Sequence, residues 1–196
     1  MLISRPRGFT IIEMMMGIAI MGILLMLALP NFSLFLQNTQ IKNAAESLTQ
    51  GLNLARAEAL RRNAPVRFQL VSNLTATCAL AAASPAWVVS LEDPVGKCEV
   101  AASETTTPKI VQKQSGTEGT GNIVLETTGG ALVTFNGLGR ATGVSTTSIL
   151  IKNTSGTCEH DGGPMRCMRV TLSAGGQPRV CDPKVSTAGD PRNCAL

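Results

Sequence analysis

Hydrophobic positions divide this 196-residue chain into three parts. From Phe9 to Leu29 they run almost without a break, and Glu13 is the one charge among them. Further on they thin to a stripe. Ile41, Ala44, Ala45, Leu48, Leu52, Ala55 and Ala59 recur at three- and four-residue steps, the period of one helical face. Lys42, Glu46, Gln50, Asn53 and Arg56 fall between them, and Glu58 is spaced to pair with Arg62 one turn later on the exposed side. Asn63-Ala64-Pro65 ends the pattern, because the residue before a proline avoids the helical region. The prediction is one helix from Phe9 to about Asn63, roughly 80 Å long, apolar on all sides in its first half and on one face in its second.

Beyond Pro65 the periodicity changes to short alternating runs. Val66 to Leu70, Trp87 to Leu91, Ile123 to Leu125, Ala131 to Phe135, Ser148 to Lys152 and Arg169 to Leu172 read as strands. Gly129-Gly130 suggests a hairpin turn between two of them. Ala101 to Gly121 is rich in Thr, Ser and Gly and reads as a mobile loop. One long helix followed by a run of strands predicts an α+β fold, with an antiparallel sheet packed on the helix. The expected organisation is a leader at 1–8, a transmembrane segment at 9–30, an amphipathic helix at 31–64 and a β-rich domain at 65–196.

The first part is of membrane length, since about 20 residues at 1.5 Å rise cross the hydrocarbon layer. Arg5 and Arg7 precede it and predict a cytoplasmic N-terminus with the remainder outside. A secretory signal places its small-residue cleavage site after the apolar core. Here the small residue, Gly8, lies before it, so cleavage there leaves the apolar segment on the mature chain. Glu13 costs about 2.5–3.5 kcal/mol on insertion scales. Buried among packed helices it needs a positive partner to offset that cost.

Gly8-Phe9-Thr10-Ile11-Ile12-Glu13 resembles the processing site of type IV pilins and type II secretion pseudopilins. The resemblance implies that a prepilin peptidase cuts between Gly8 and Phe9 and methylates the new amine of Phe9. Glu13 then takes the family's fifth mature position, and Pro30 takes the position of its helix-bending proline. Arg56-Ala57-Glu58-Ala59 and Val133-Thr134-Phe135-Asn136-Gly137-Leu138-Gly139-Arg140 resemble the GspH/FimT branch of minor pilins and pseudopilins. The resemblance implies a pilin-like fold whose helix joins a filament, where Glu13 pairs with the positive amine of a neighbouring Phe9 and sets the axial register.

Composition narrows the remaining options. Of the formal charge of +4, Arg5 and Arg7 supply two, leaving +2 on a processed chain. That balance alone gives no argument for nucleic acid. One Trp, five Phe and no Tyr do not make a platform for stacked bases. The six cysteines, Cys78, Cys98, Cys158, Cys167, Cys181 and Cys194, all follow the apolar segment. An even count in an exported domain reads as disulfides. Sequence neighbours suggest Cys78–Cys98, Cys158–Cys167 and Cys181–Cys194 out of about fifteen possible pairings.

No catalytic constellation is legible. His160 is the only histidine, and no GxSxG or phosphate-binding loop occurs. A metal site on Cys158, His160 and Cys167 competes with a disulfide, which an oxidising compartment favours. The chain is therefore expected to be no enzyme and to carry no cofactor and no metal. Near the C-terminus, Gly176 and Arg179 match the ends of the Gly-Arg-any-Arg motif through which some FimT-like pilins are thought to bind DNA, while Gln177 departs from it. Arg179, Lys184 and Arg192, with Arg166 and Arg169, are the candidate phosphate contacts, diluted by Asp182 and Asp190.

The expected role is that of a minor type IV pilin helping to initiate or cap a pilus. Its expected partners are the prepilin peptidase, the major pilin, other minor pilins and an inner-membrane assembly platform. Two alternatives are a GspH-like pseudopilin of a type II secretion system and a DNA-binding pilin at a pilus tip.

Overall fold

The computed structural model describes residues 8–116, 119–142, 148–173 and 175–194, and within its first helix the side chains of 27–31 lie outside the description. The leader arginines Arg5 and Arg7, and the side chain of Pro30, are therefore outside the described residues. Among the described residues one α-helix, α1 (Ile11–Arg62), precedes nine strands: β1 (Val66–Leu70), β2 (Trp87–Ser90), β3 (Ile110–Gln114), β4 (Ile123–Thr128), β5 (Leu132–Phe135), β6 (Ala141–Thr142), β7 (Ser148–Asn153), β8 (Met168–Leu172) and β9 (Pro178–Cys181). The chain divides into two compact units, 1–36 and 37–196.

In the first unit the apolar side chains from Phe9 to Met26 are exposed. Among the described residues no helix is long and apolar enough to cross a membrane. In sequence the apolar run goes on through Leu27, Ala28 and Leu29.

In the second unit the rest of α1 buries the stripe Ile41, Ala44, Ala45, Leu48, Leu52, Ala55 and Ala59. The small side chains let sheet and helix backbones approach. At Gly51 a Cβ would stand 2.7 Å from the Phe68 ring and 3.0 Å from that of Trp87. These two rings lie 5.7 Å apart, and the Trp87 indole N–H donates to Ser47 at 3.0 Å.

Two antiparallel sheets meet the helix rather than the single sheet expected. Their orders are β3-β2-β1-β5-β6 and β4-β7-β8-β9. Gly129-Gly130 is not a hairpin turn, because β4 belongs to the second sheet and β5 to the first. With φ of 108° and 106° these glycines carry the chain from one sheet to the other. The expected loop 101–121 contains β3, which pairs with β2 and buries Ile110. Strands β6 and β9 were not legible as strands.

The three disulfides are Cys78–Cys98, Cys158–Cys167 and Cys181–Cys194, with Cα separations of 6.1, 5.4 and 5.1 Å. The first staples the excursion between β1 and β3 over a small core of Val71, Ala86, Val88 and Ile110, joined by Leu74 and Val100. Lys113 on β3 closes that excursion, its ammonium donating to the carbonyls of Cys98, Glu99 and Val100 at 2.7–3.0 Å.

Candidate functional site

The segment that resembles a processing site begins outside regular secondary structure at Gly8, Phe9 and Thr10 and becomes helical at Ile11. Phe9 is 85% exposed. Thr10 and Glu13 form a capping box. Glu13 Oε2 accepts from the Thr10 backbone N–H at 2.9 Å and from its hydroxyl at 2.8 Å, while Glu13 N–H donates to Thr10 Oγ1 at 3.3 Å. Each residue satisfies a donor that a helix start leaves open. The carboxylate also sits at the positive end of the helix dipole. Thr10 is the residue that the charge-based reading passed over, although Thr-x-x-Glu is a sequence signature in its own right.

At the other end of α1, the chain reverses through Asn63, whose φ of 47° is left-handed. Ala64 N–H donates to Ala59 O and Asn63 N–H to Leu60 O, both at 3.3 Å, which is a Schellman ending with asparagine in the glycine place. The turn after β5 packs here. Asn136 Oδ1 accepts from the N–H groups of Leu138 and Arg140 at 3.0 Å. Arg56 Nε donates to Gly139 O at 3.2 Å, so Arg56 is drawn from the polar side of the helix into this junction. A Cβ at Gly137 would press on Asn63, and one at Gly176 on the Gly139 carbonyl. The two segments that resemble the GspH/FimT branch thus meet, and Gly176 from the β8–β9 turn joins them.

Beside the junction an acid–base cluster ties the 101–109 segment to the helix end. Arg62 contacts Glu58 and Glu104, each at 2.7 Å, and Arg61 reaches Glu58 at 2.8 Å and Glu104 at 3.3 Å. The Glu58 and Arg62 side chains retain 15% and 19% exposure, so this pair is largely covered rather than solvated as expected. The Arg61 guanidinium holds the Glu58 carboxyl below its usual range, and Arg62 does the same for Glu104.

Of the five cations considered for phosphate contact, four are already engaged. Arg179 Nη2 donates to the carbonyl of Pro191 at 2.9 Å and to that of Asn193. Lys184 pairs with Glu159 at 2.9 Å, Arg166 with Asp182 at 3.0 Å and Arg192 with Asp190 at 2.8 Å. The Arg192 guanidinium pulls the Asp190 carboxyl down to about 2. Arg169 lies on β8 with its Nε buried. The result is a neutralised lattice that fixes the C-terminal loop, not an open basic rim. His160 stands beside Asp161 in the loop closed by Cys158–Cys167, so the metal-ligand reading meets two sulfurs already bonded to each other.

Two family models match the chain. The prokaryotic N-terminal methylation motif matches residues 3–29, and the type II transport protein GspH matches residues 44–176. No curated protein matches the chain. Two crystal structures of the type IV minor pilin FimU from Pseudomonas aeruginosa (strain PAO1) are similar to it. One is 16% identical with a TM-score of 0.45 and covers 74% of this chain and 99% of its own. The other, in a second crystal form, is 17% identical with a TM-score of 0.47 and covers 78% and 99%. With the methylation motif over the apolar start and the GspH model over most of the folded domain, the chain belongs to the GspH family of minor pilins and pseudopilins.

Proposed function

We propose that this chain is a minor type IV pilin, a non-catalytic subunit that helps initiate or cap a pilus. The observation that carries the reading is the division of α1. Its first part leaves the described apolar side chains from Ile11 to Met26 exposed, whereas its second part is the core helix of a disulfide-stapled domain. An exposed apolar helix needs apolar neighbours. A bilayer supplies them before assembly, and the helices of other pilins supply them afterwards.

In this reading the prepilin peptidase cuts between Gly8 and Phe9 and methylates Phe9. The chain spans the inner membrane once with its domain in the periplasm, and Pro30 marks the bend in the stalk. Glu13 meets the amine of a neighbouring Phe9. Partners are the major pilin, other minor pilins and the inner-membrane assembly platform. Intact mass and N-terminal sequencing of the membrane-extracted protein test the first step, and a chain that begins at methylated Phe9 is expected. Glu13→Ala with processing monitored tests the second. Normal cleavage with lost incorporation is expected, and unchanged incorporation overturns the register role.

The family model's description favours one second reading, a pseudopilin of a type II secretion system. Deleting the gene separates the two. Loss of pili with secretion intact supports the pilus, and the reverse supports secretion.

A further inference from the structure

We propose that the Cys158–Cys167 loop becomes a zinc site when its disulfide is reduced, with Cys158, His160, Asp161 and Cys167 as ligands. The Cys158 sulfur, a His160 ring nitrogen and an Asp161 carboxylate oxygen lie within 4.8 Å of one another. Cys167, bonded to Cys158, places a fourth donor next to that sulfur rather than within the group of three. Two thiolates, an imidazole and a carboxylate are ligand types zinc takes in tetrahedral sites, at about 2.3 Å for sulfur and about 2.0–2.2 Å for nitrogen and oxygen.

The loop keeps its shape through its backbone, not only through the sulfur bond. Asp161 and Gly163 N–H both donate to Cys158 O, at 3.0 and 2.9 Å. Glu159 N–H donates to Met165 O at 2.7 Å, and Met165 N–H returns to Thr157 O at 3.1 Å. The short turn Glu159–Asp161 ends at Gly162 in the left-handed region and delivers His160 and Asp161 to the same side. Both are exposed, whereas the two sulfurs are buried. A cleft of about 330 Å³, lined in part by Thr157, Cys158 and Asp161, gives a metal ion a way in. Lys152 also borders it but is held by Glu126 at 2.6 Å.

The step requires a dithiol reductant. The reductant gives two electrons and two protons to the Cys158–Cys167 bond, which breaks to two thiols as the reductant closes its own disulfide. Zinc then replaces the two thiol protons with two zinc–sulfur bonds. Bound metal blocks reclosure, because the sulfurs that must rejoin are both occupied. The site therefore exists in a newly exported chain or after reduction, whichever filament the subunit joins.

The test uses the full chain in detergent, reduced by a dithiol and reoxidised with glutathione disulfide, with and without one equivalent of zinc. Aliquots are chelated, alkylated and mapped by peptide mass. Zinc is expected to slow closure of Cys158–Cys167 at least about tenfold and to leave Cys78–Cys98 and Cys181–Cys194 unchanged. His160→Ala and Asp161→Asn, both at exposed positions, are expected to abolish most of that delay while keeping the native pairing after oxidation. Equal slowing of all three pairs, no slowing, or full slowing in His160→Ala overturns the proposal, since each means that zinc meets thiols without a built site.

Discussion

Gly176 rests against the carbonyl of Gly139, so closely that no side chain fits between the β8–β9 turn and the turn after β5. Gly176 also has φ of +76°. Gly176→Ala therefore meets two penalties, left-handed strain of about 1–2 kcal/mol and overpacking of about 1–3 kcal/mol. The expected loss is about 2–5 kcal/mol, read as a lowered denaturation midpoint. A variant as stable as the parent means that the two turns part freely.

Gly51 sets a helix gain against a packing cost. Alanine in a helix interior is about 1 kcal/mol better than glycine. Its methyl, however, would lie 2.7 Å from the Phe68 ring and 3.0 Å from Trp87, and both rings are buried. Overpacking of about 1–3 kcal/mol wins. Gly51→Ala is expected to lower stability and change the emission of Trp87, the chain's only tryptophan. Higher stability with unchanged emission means that the rings give way.

The two ends of α1 show what the residues announced. The period of Ile41 to Ala59 is a geometric signal and survives into the burial pattern, as does the stop at Asn63-Ala64-Pro65. Strand partners are another matter. Alternation says which face of Leu132–Phe135 is buried, but not that its partner is β1 rather than β4. The β3 residues Ile110 and Val111 hide behind a Thr- and Ser-rich approach, and Pro178 at the head of β9 weakens a four-residue run. At the candidate assembly site the resemblance to a prepilin processing site singles out Gly8 and Phe9, and the lone charge in the apolar run singles out Glu13. The engagement of Arg179 by backbone carbonyls had no local signal, because Pro191 and Asn193 are distant in sequence.

The Thr10–Glu13 box predicts a graded mutant series. Thr10→Ala removes the hydroxyl, and the helix start should lose about 1 kcal/mol. This is read as faster amide exchange at Ile11 to Met14 in the full chain. Thr10→Ser should restore protection. Equal exchange in all three proteins contradicts a role for the box.

Acid should release the 101–109 segment. Arg61 and Arg62 depress the Glu58 and Glu104 carboxyls in the folded chain. Their contribution is thus fully present above the ordinary unfolded carboxylate value of about 4 and is lost as pH falls through the depressed folded values. Asp190 behaves alike, its window running from 3.8 to about 2. Carboxyl carbon shifts should show midpoints below the ordinary range, and Arg62→Ala should raise that of Glu104. An unmoved midpoint rules out the contact.

The C-terminal loop should be held by covalent and hydrogen bonds together. Replacing Cys181 and Cys194 by alanine opens a link across a sequence separation of 13, expected to cost about 3 kcal/mol. Arg179→Ala alone should keep the disulfide yet speed amide exchange at Asp182 and Asn193. Unaltered exchange there means that the sulfur bond suffices.

The order in which the strands join their sheets has a consequence for how the domain can come apart. The chain lays down β1 to β3 in the first sheet, crosses to place β4 in the second, returns for β5 and β6, and leaves again for β7 to β9. Neither sheet is a continuous stretch of sequence, and β1 waits for β5 across an intervening strand of the other layer. The layers are interlaced, as two hands are when the fingers are crossed. No cut between two strands leaves both sheets whole, so its loss of structure should be a single event with no half-domain surviving.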